Sequence, residues 1–385
     1  MKRVIAAVSL SALTGITYAQ NGVTLYGRVD NGIQYQTGLA TGHQVSLETG
    51  NWAPSEFGLK GAEDLGGGTK AIFRLEAGLD TLNGTSMGSL FGRQATVGLT
   101  SDVWGTFKLG NFGSYEIQQD SFDVDPQVMQ LYALSTLVRG RNWSNAGNGL
   151  EYTSPTWGGL TIKGQYDLTN STTWNAGNPG SGQVGAPQGR SDGIKAQYDG
   201  ANLELLAIYD EIRDSNGQFS NVYTASRSVL VGGTYQVGPV KFYAAYQHLS
   251  APSASDYGYF GTSTPTTQPG GVSLPTVVDH EWAGATWQVS SFTALTAAVY
   301  HANANKGNGN ATMFTLSGTY NLSKRTFLYS ELGYIHNSST SNIGLDDGNY
   351  GANVNNDPVN GSSSNTNPDY GHGQLGAFAG IVTQF

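Results

Sequence analysis

Residues capable of chemistry are present in this chain but scattered. Gly84-Thr85-Ser86-Met87-Gly88 matches the Gly-x-Ser-x-Gly pattern, in which a sharp strand-to-helix turn exposes a nucleophilic serine. No helical periodicity follows it and its surroundings are rich in Gly and Asn, so the framework that makes such a serine reactive is missing. The histidines, His43, His248, His280, His301, His336 and His372, never fall at a spacing such as His-x-x-x-His that would seat two on one metal. Asp120, Asp123 and Asp125 lack the Gly and terminal Glu of a calcium loop, and Asp346-Asp347-Gly348 is no stronger. The chain has no cysteine, which excludes disulfides, thiolate catalysis and Cys-ligated metals. The sequence therefore predicts no catalytic residue, no metal and no cofactor.

A different chemistry is carried by charge set on one face of alternating segments. Leu160, Ile162, Gly164, Tyr166 and Leu168 alternate with Thr161, Lys163, Gln165 and Asp167. Phe314, Leu316, Gly318 and Tyr320 alternate with Thr315, Ser317, Thr319 and Asn321, and Val229, Val231, Gly233, Tyr235 and Val237 with Leu230, Gly232, Thr234 and Gln236. A period of two over 8 to 12 residues is a strand with one oily and one wet face. If the oily face meets lipid and the wet face lines water, charged strand residues belong to the lumen, because a lipid-facing Lys or Arg near midplane costs about 2 to 4 kcal/mol. Alternation then points Arg28, Lys60, Arg74, Lys108, Lys163 and Lys195 inward, together with Asp30, Glu56, Glu76, Asp167 and Glu331.

Composition supports the same architecture. Gly reaches 54 and Tyr 21 against 12 Pro, and charged residues make up only 12% of the chain, where a soluble surface would bring the total to roughly 25%. The formal net charge of −9 disfavours nucleic acid as a partner. The connections alternate in length. Short links occur at 63–68, 238–239, 290–291 and 323–325, and long ones near 36–54, 80–90, 114–147, 169–191, 251–279 and 338–372. Short periplasmic turns and long external loops are the asymmetry of an outer-membrane barrel. The count gives about sixteen strands, hence an all-β, antiparallel transmembrane barrel. The final segment, ending on Phe385, is expected to pair with Val23-Thr24-Leu25-Tyr26-Gly27 and close the ring. Tyr35, Trp157 and Trp287 suit interfacial aromatic girdles. Ahead of this, Lys2 and Arg3, an apolar run from Val4 to Ile16 and Thr17-Tyr18-Ala19 have the form of a cleaved leader, giving a leader over 1–19 and a barrel domain over 20–385.

At the level of motifs the chain resembles the general diffusion porins of Gram-negative bacteria, the beta-proteobacterial type in particular. Val23-Thr24-Leu25-Tyr26-Gly27-Arg28-Val29-Asp30 is similar to that family's first strand, Phe57-Gly58-Leu59-Lys60-Gly61-Ala62-Glu63-Asp64-Leu65-Gly66-Gly67-Gly68 to its second strand and turn, and Arg93, Ala95, Val97, Gly98 and Leu99 to its fourth strand. Tyr320-Asn321-Leu322-Ser323-Lys324-Arg325-Thr326, with Tyr329, resembles a late turn. The resemblance implies a sixteen-stranded, homotrimeric barrel in the outer membrane, whose third loop folds inward to narrow a water-filled channel for small hydrophilic solutes and ions. Its surroundings would be the lipid bilayer and lipopolysaccharide.

Two positions depart from the family. Glu56 stands where an Arg commonly precedes Phe-Gly, and Val382 where a basic residue is frequent. The resemblance places a basic wall of Arg28, Lys60, Arg74 and Arg93 opposite acids of the inward loop, Glu116, Asp120, Asp123 and Asp125, with Glu56 added to the wall. Arg139 and Arg141 close that loop and could join the wall. Charged rings of this kind select ions and orient polar solutes. Because Glu56 replaces a positive group with a negative one, weak cation selectivity is the expectation. Arg93 shares a strand face with Ala95 and Val97, which would put Gln94 and Thr96 on the outside, at a subunit contact. Lys324 and Arg325 are expected in a periplasmic turn. A substrate-specific channel, a barrel enzyme built on Ser86 and an adhesin are the competing readings. They would require, respectively, an aromatic or charge ladder along the lumen, a histidine beside the serine, and loop features that a sequence does not disclose.

Overall fold

In the computed structural model, residues 22–39, 42–114, 116–128, 130–143, 145–168, 189–254, 275–307, 309–346 and 367–385 are described. The leader over 1–19, most of the Asn353 to Asp369 tract, Asp347 and Gly348 lie outside them. The strands, in chain order, are β1 (Val23–Leu39), β2 (Gly42–Thr49), β3 (Glu56–Gly66), β4 (Thr69–Asp80), β5 (Thr85–Met87), β6 (Gln94–Ser101), β7 (Gly105–Asn111), β8 (Gly113–Ser114), β9 (Asn145–Ala146) and β10 (Gly149–Thr153). They continue as β11 (Leu160–Asp167), β12 (Ser191–Asp199), β13 (Leu203–Ile212), β14 (Arg227–Val237), β15 (Val240–Ser250), β16 (Val277–Gln288), β17 (Thr293–Ala304), β18 (Ala311–Asn321), β19 (Thr326–Asn337) and β20 (Gln374–Gln384).

All but β8 and β9 belong to one antiparallel sheet of 18 strands. Two positions around it are each shared by consecutive strands: β2 and β3 both pair with β1, and β5 and β6 both pair with β4. The result is a closed barrel of sixteen staves. Closure differs from the sequence expectation by register. β20 pairs with Arg28–Gln36, not with Val23–Gly27, and beyond it only Gly27 and Phe385 exchange backbone hydrogen bonds, at 3.0 and 3.1 Å. The segment before Gly27 pairs instead with β3. The Phe385 ring lies against Gly27, where a side chain would collide with it.

Large apolar side chains point outward, as an oily belt requires. Val229, Val231, Tyr235, Phe314, Leu316 and Tyr320 are among the exposed ones, while Leu230, Thr234, Thr315 and Ser317 between them are buried. The short turns lie together at one end of the barrel. At the β3–β4 turn, Gly66, Gly67 and Gly68 all take positive φ (84°, 61° and 76°), a run open to glycine, and the Asp64 carboxylate accepts from Gly66 N at 2.8 Å. Lys324 and Arg325 lie at this same end, since Arg325 O accepts from Gln384 N at 2.8 Å beside the chain terminus.

The third loop runs inside. It carries α1 (Glu116–Gln119), a 3-10 turn (Asp120–Val124), α2 (Leu134–Leu137) and a second 3-10 turn (Arg141–Trp143). Its apolar side chains, Ile117, Val124, Leu131, Tyr132, Leu134 and Leu137, pack on Leu206, Leu230, Trp282, Tyr300, Met313 and Ile335 of the inner wall. Burying such a side chain contributes about 1.5 to 3 kcal/mol, so this seam is the protein's substitute for a core. Close approach is achieved by removing side chains from the wall: a Cβ at Gly333 would stand 2.6 Å from the Tyr132 ring, and one at Gly284 2.5 Å from Pro126.

Candidate functional site in the barrel lumen

The charged residues that alternation turns inward on β1, β3 and β4 meet across neighbouring strands. Arg28 is directly opposite Glu56 in register, and Lys60 opposite Arg74. Arg28 Nη2 lies 3.2 Å from Glu56 Oε1, and Glu56 Oε2 is 2.7 Å from Arg93 Nη2. Arg93 Nε in turn donates to Glu76 Oε1 at 2.9 Å, and Arg74 Nη2 meets Glu76 Oε2 at 2.5 Å. Tyr26 locks the end of this ladder: its hydroxyl accepts from Arg74 Nε at 2.7 Å and donates to Glu76 at 2.8 Å. The order Arg28, Glu56, Arg93, Glu76, Arg74 alternates in sign and begins and ends on a cation. Glu76, Arg28 and Glu56 are 3%, 11% and 13% exposed and Arg93 and Arg74 26% and 41%, so the groups this ladder shows water most are Arg93 and Arg74.

The Glu56 carboxylate is held between two arginines and spaces them. Arg93 precedes β6 and escapes the strand's alternation, which is why it and Gln94 both reach the lumen. Gln94 and Thr96 are buried and face inward while Val97 is outside, so these two supply no subunit contact.

Facing the ladder, a cavity of about 400 Å³ is lined by Arg28, Glu56, Arg74, Glu76, Arg93, Lys108 and Lys163 from the wall and by Asp120, Asp123, Phe122 and Gln119 from the inward loop. Asp120 takes two ammonium groups, Lys163 at 2.9 Å and Lys195 at 2.6 Å, pinning the loop to β11 and β12. Lys108 pairs with Glu151 at 2.9 Å. Asp123 is pushed up to about 6, first by burial and then by the neighbouring Asp120.

The remaining expected residues fall elsewhere. Asp125 is fully buried and does not line the cavity. It accepts from Tyr300 Oη at 2.5 Å, Leu134 N at 2.9 Å and Gln127 N at 3.0 Å, which makes it the lock that folds the loop onto β17. Burial raises it to about 6. Lys60 lies one step away, its ammonium 5.1 Å from the Tyr26 ring, in a second cavity with Thr24, Arg74, Thr96 and Lys108. The Glu116 side chain lies outside the described residues. Arg141 and Arg139 do not join the wall: Arg141 is buried, 2.8 Å from Asp210 and bonded to Ser226, and Arg139 stacks 5.4 Å from the Tyr223 ring. Phe112 and Phe122 line the cavity although the pattern of charges did not point to them. Ser86 is exposed on β5, and its hydroxyl donates to Gly88 O at 3.2 Å.

A closed barrel with an oily outer belt, a charged inner wall and a loop folded across its interior defines an outer-membrane diffusion channel. The chain belongs to the Gram-negative porin family, whose sequence model matches residues 6–340. It is 29% identical to an outer membrane porin protein of Bordetella pertussis over 87% of this chain and 94% of that one, and 28% identical to outer membrane porin protein 32 of Delftia acidovorans over 90% and 92%. Among solved structures it is similar to the anion-selective porin from Comamonas acidovorans, with a TM-score of 0.73 at 23% identity, covering 95% of this chain and all of that one. The protein is an outer-membrane porin that forms a water-filled channel for passive diffusion of small hydrophilic solutes and ions.

Proposed function

We propose that the cavity between the arginine ladder and the inward loop is the channel's constriction, and that it sorts solutes by a transverse field with little net charge. The observation carrying this is the lining itself. Five basic groups, Arg28, Arg74, Arg93, Lys108 and Lys163, share the wall with Glu56 and Glu76 and face Asp120 and Asp123 of the inward loop. Opposed charges orient dipolar solutes, whereas a near balance gives only weak ion preference. With Arg93 and Arg74 the most exposed groups of the ladder, that preference is for anions. The mixed signs and, among the described residues, the lack of an aromatic track favour a general over a substrate-specific channel. Reversal potentials in a salt gradient test the proposal: a slight anion preference is expected, and strong selectivity of either sign would overturn it.

The working unit is a homotrimer that catalyses no reaction, exported by removal of residues 1–19. Support for the trimer comes from the loop between β4 and β6, where Leu82, Met87 and Leu90 are exposed. A cluster of exposed apolar side chains on one loop is suited to a second copy of the chain. Native mass measurement in detergent tests this, with trimers expected and monomers alone contradicting it.

A further inference from the structure

One stretch of the lumen wall is apolar and aromatic beside the charged ladder. Val382, at a position where the resembled family frequently has a basic residue, faces inward on β20 and is fully buried. In register it lies between Asp30 of β1 and Phe327 of β19. Phe327 is inward as well, on the row of Tyr329 and Glu331, two residues past the short turn that holds Lys324 and Arg325. Trp52, from the segment between β2 and β3, meets the Phe327 ring edge-on with centroids 4.8 Å apart. Both rings pack on the buried cluster that includes Val382 and stay partly exposed themselves. An apolar floor lets two rings settle where a buried base would demand a partner.

The indole is placed by its backbone and leaves its own donor open. Trp52 N donates to Asp30 Oδ2 at 2.9 Å, and Asn51 O accepts from Leu131 N of the inward loop at 2.9 Å. Trp52 Nε1 has no acceptor among the described residues and is not sealed from water. Arg28 stands beside it, the guanidinium carbon 5.8 Å from the ring centroid. Arg28 Nε and Nη2 are engaged by Pro54 O and Glu56, while Nη1 has no acceptor among the described residues and also reaches water. The two acids at hand are occupied. Glu56 is held between Arg28 and Arg93, and Asp30 is sealed, with Oδ1 accepting from Tyr329 Oη at 2.5 Å and Oδ2 from Trp52 N and Ala53 N.

Two open N–H donors, one of them on a cation, beside a partly exposed aromatic pair suit a solute that carries a carboxylate on a flat ring. We propose that Arg28, Trp52 and Phe327 form a subsite for small aromatic carboxylates, on the short-turn side of the constriction that Arg28 lines. The carboxylate accepts from Arg28 Nη1, with the Trp52 N–H as a second donor, and the ring packs on the indole and on Phe327. This rests on the reading of the lumen as an open channel and names a solute class that pauses in it. The subsite slows such solutes and leaves the path open to other ions.

The test uses the full-length porin in planar bilayers bathed in KCl, titrated with benzoate, acetate or benzamide, and reads the loss of KCl current and its excess noise. Benzoate should reduce the current at about tenfold lower concentration than acetate, and the uncharged benzamide should do no better than acetate. Trp52→Leu keeps the backbone bonds to Asp30 and should weaken the benzoate effect about fivefold, as should Phe327→Leu made separately, while Arg325→Gln in the nearby turn should leave it unchanged. A parent channel that conducts KCl yet responds to benzoate no more than to acetate would overturn the proposal. So would a benzamide effect equal to that of benzoate, or a parent-like benzoate effect in either variant. A parent that shows no KCl openings would instead overturn the channel reading, and this subsite with it.

Discussion

Replacing Glu56 exposes the logic of the ladder, because its carboxylate is the spacer between Arg28 and Arg93. Glu56→Gln keeps the shape and adds one positive charge to the wall, and Glu56→Arg adds two. For an ion passing about 8 Å away in water, one unit charge is worth about 0.5 kcal/mol. One Debye length of screening at physiological salt reduces this to about 0.2 kcal/mol. The added charge favours the anion and disfavours the cation equally, so their difference changes by about 0.4 kcal/mol, or about twofold in the chloride-to-potassium permeability ratio. For Glu56→Arg the shift is about fourfold on the same reasoning. Reversal potentials across a KCl gradient in planar bilayers measure both. An unmoved ratio, or a shift toward potassium, would refute the assignment of Glu56 to the ion path.

Three further outcomes follow from the inward loop and its neighbours. Asp123 is held at about 6, above an ordinary aspartate, so it is charged above that pH and neutral below it. Acidifying through this range should raise anion preference about twofold, by the same charge arithmetic, and Asp123→Asn should abolish the step. Gly333→Val should force Tyr132 off the wall at a cost of about 1 to 3 kcal/mol, read as altered conductance and faster proteolysis of the loop in a barrel that still forms. Leu90→Asp should lower the temperature at which trimers dissociate on electrophoresis without altering monomer secondary structure.

How much of this was legible in the sequence varies with the kind of interaction. Strand alternation at Leu160–Asp167 and Val229–Val237 was enough to give the barrel and its wet face, because the period of two is imposed by the strand itself. Arg28, Lys60, Arg74 and Glu56 followed from parity. Arg93 did not, since it lies just before β6 where parity no longer holds, and Gln94 and Thr96 were misplaced for that reason. Asp123 and Asp125 are two residues apart and chemically identical, yet one faces water and the other is sealed under Tyr300. Only the path of the loop separates them. That path had a faint signal: β13 reads Leu203, Leu205, Leu206, Ile208, apolar on both faces, as a strand covered on its lumen side must be. Arg139 and Arg141 show the converse, cations that pair with buried partners and leave the pore to others.

The central claim is an open aqueous path narrowed by a balanced charge ring, and single-channel recording of the purified porin in planar bilayers tests it most directly. The account predicts stable stepwise openings whose conductance rises in proportion to bulk KCl conductivity. An absence of steps, or a conductance that saturates at modest salt as it would with a tight internal binding site, would contradict it.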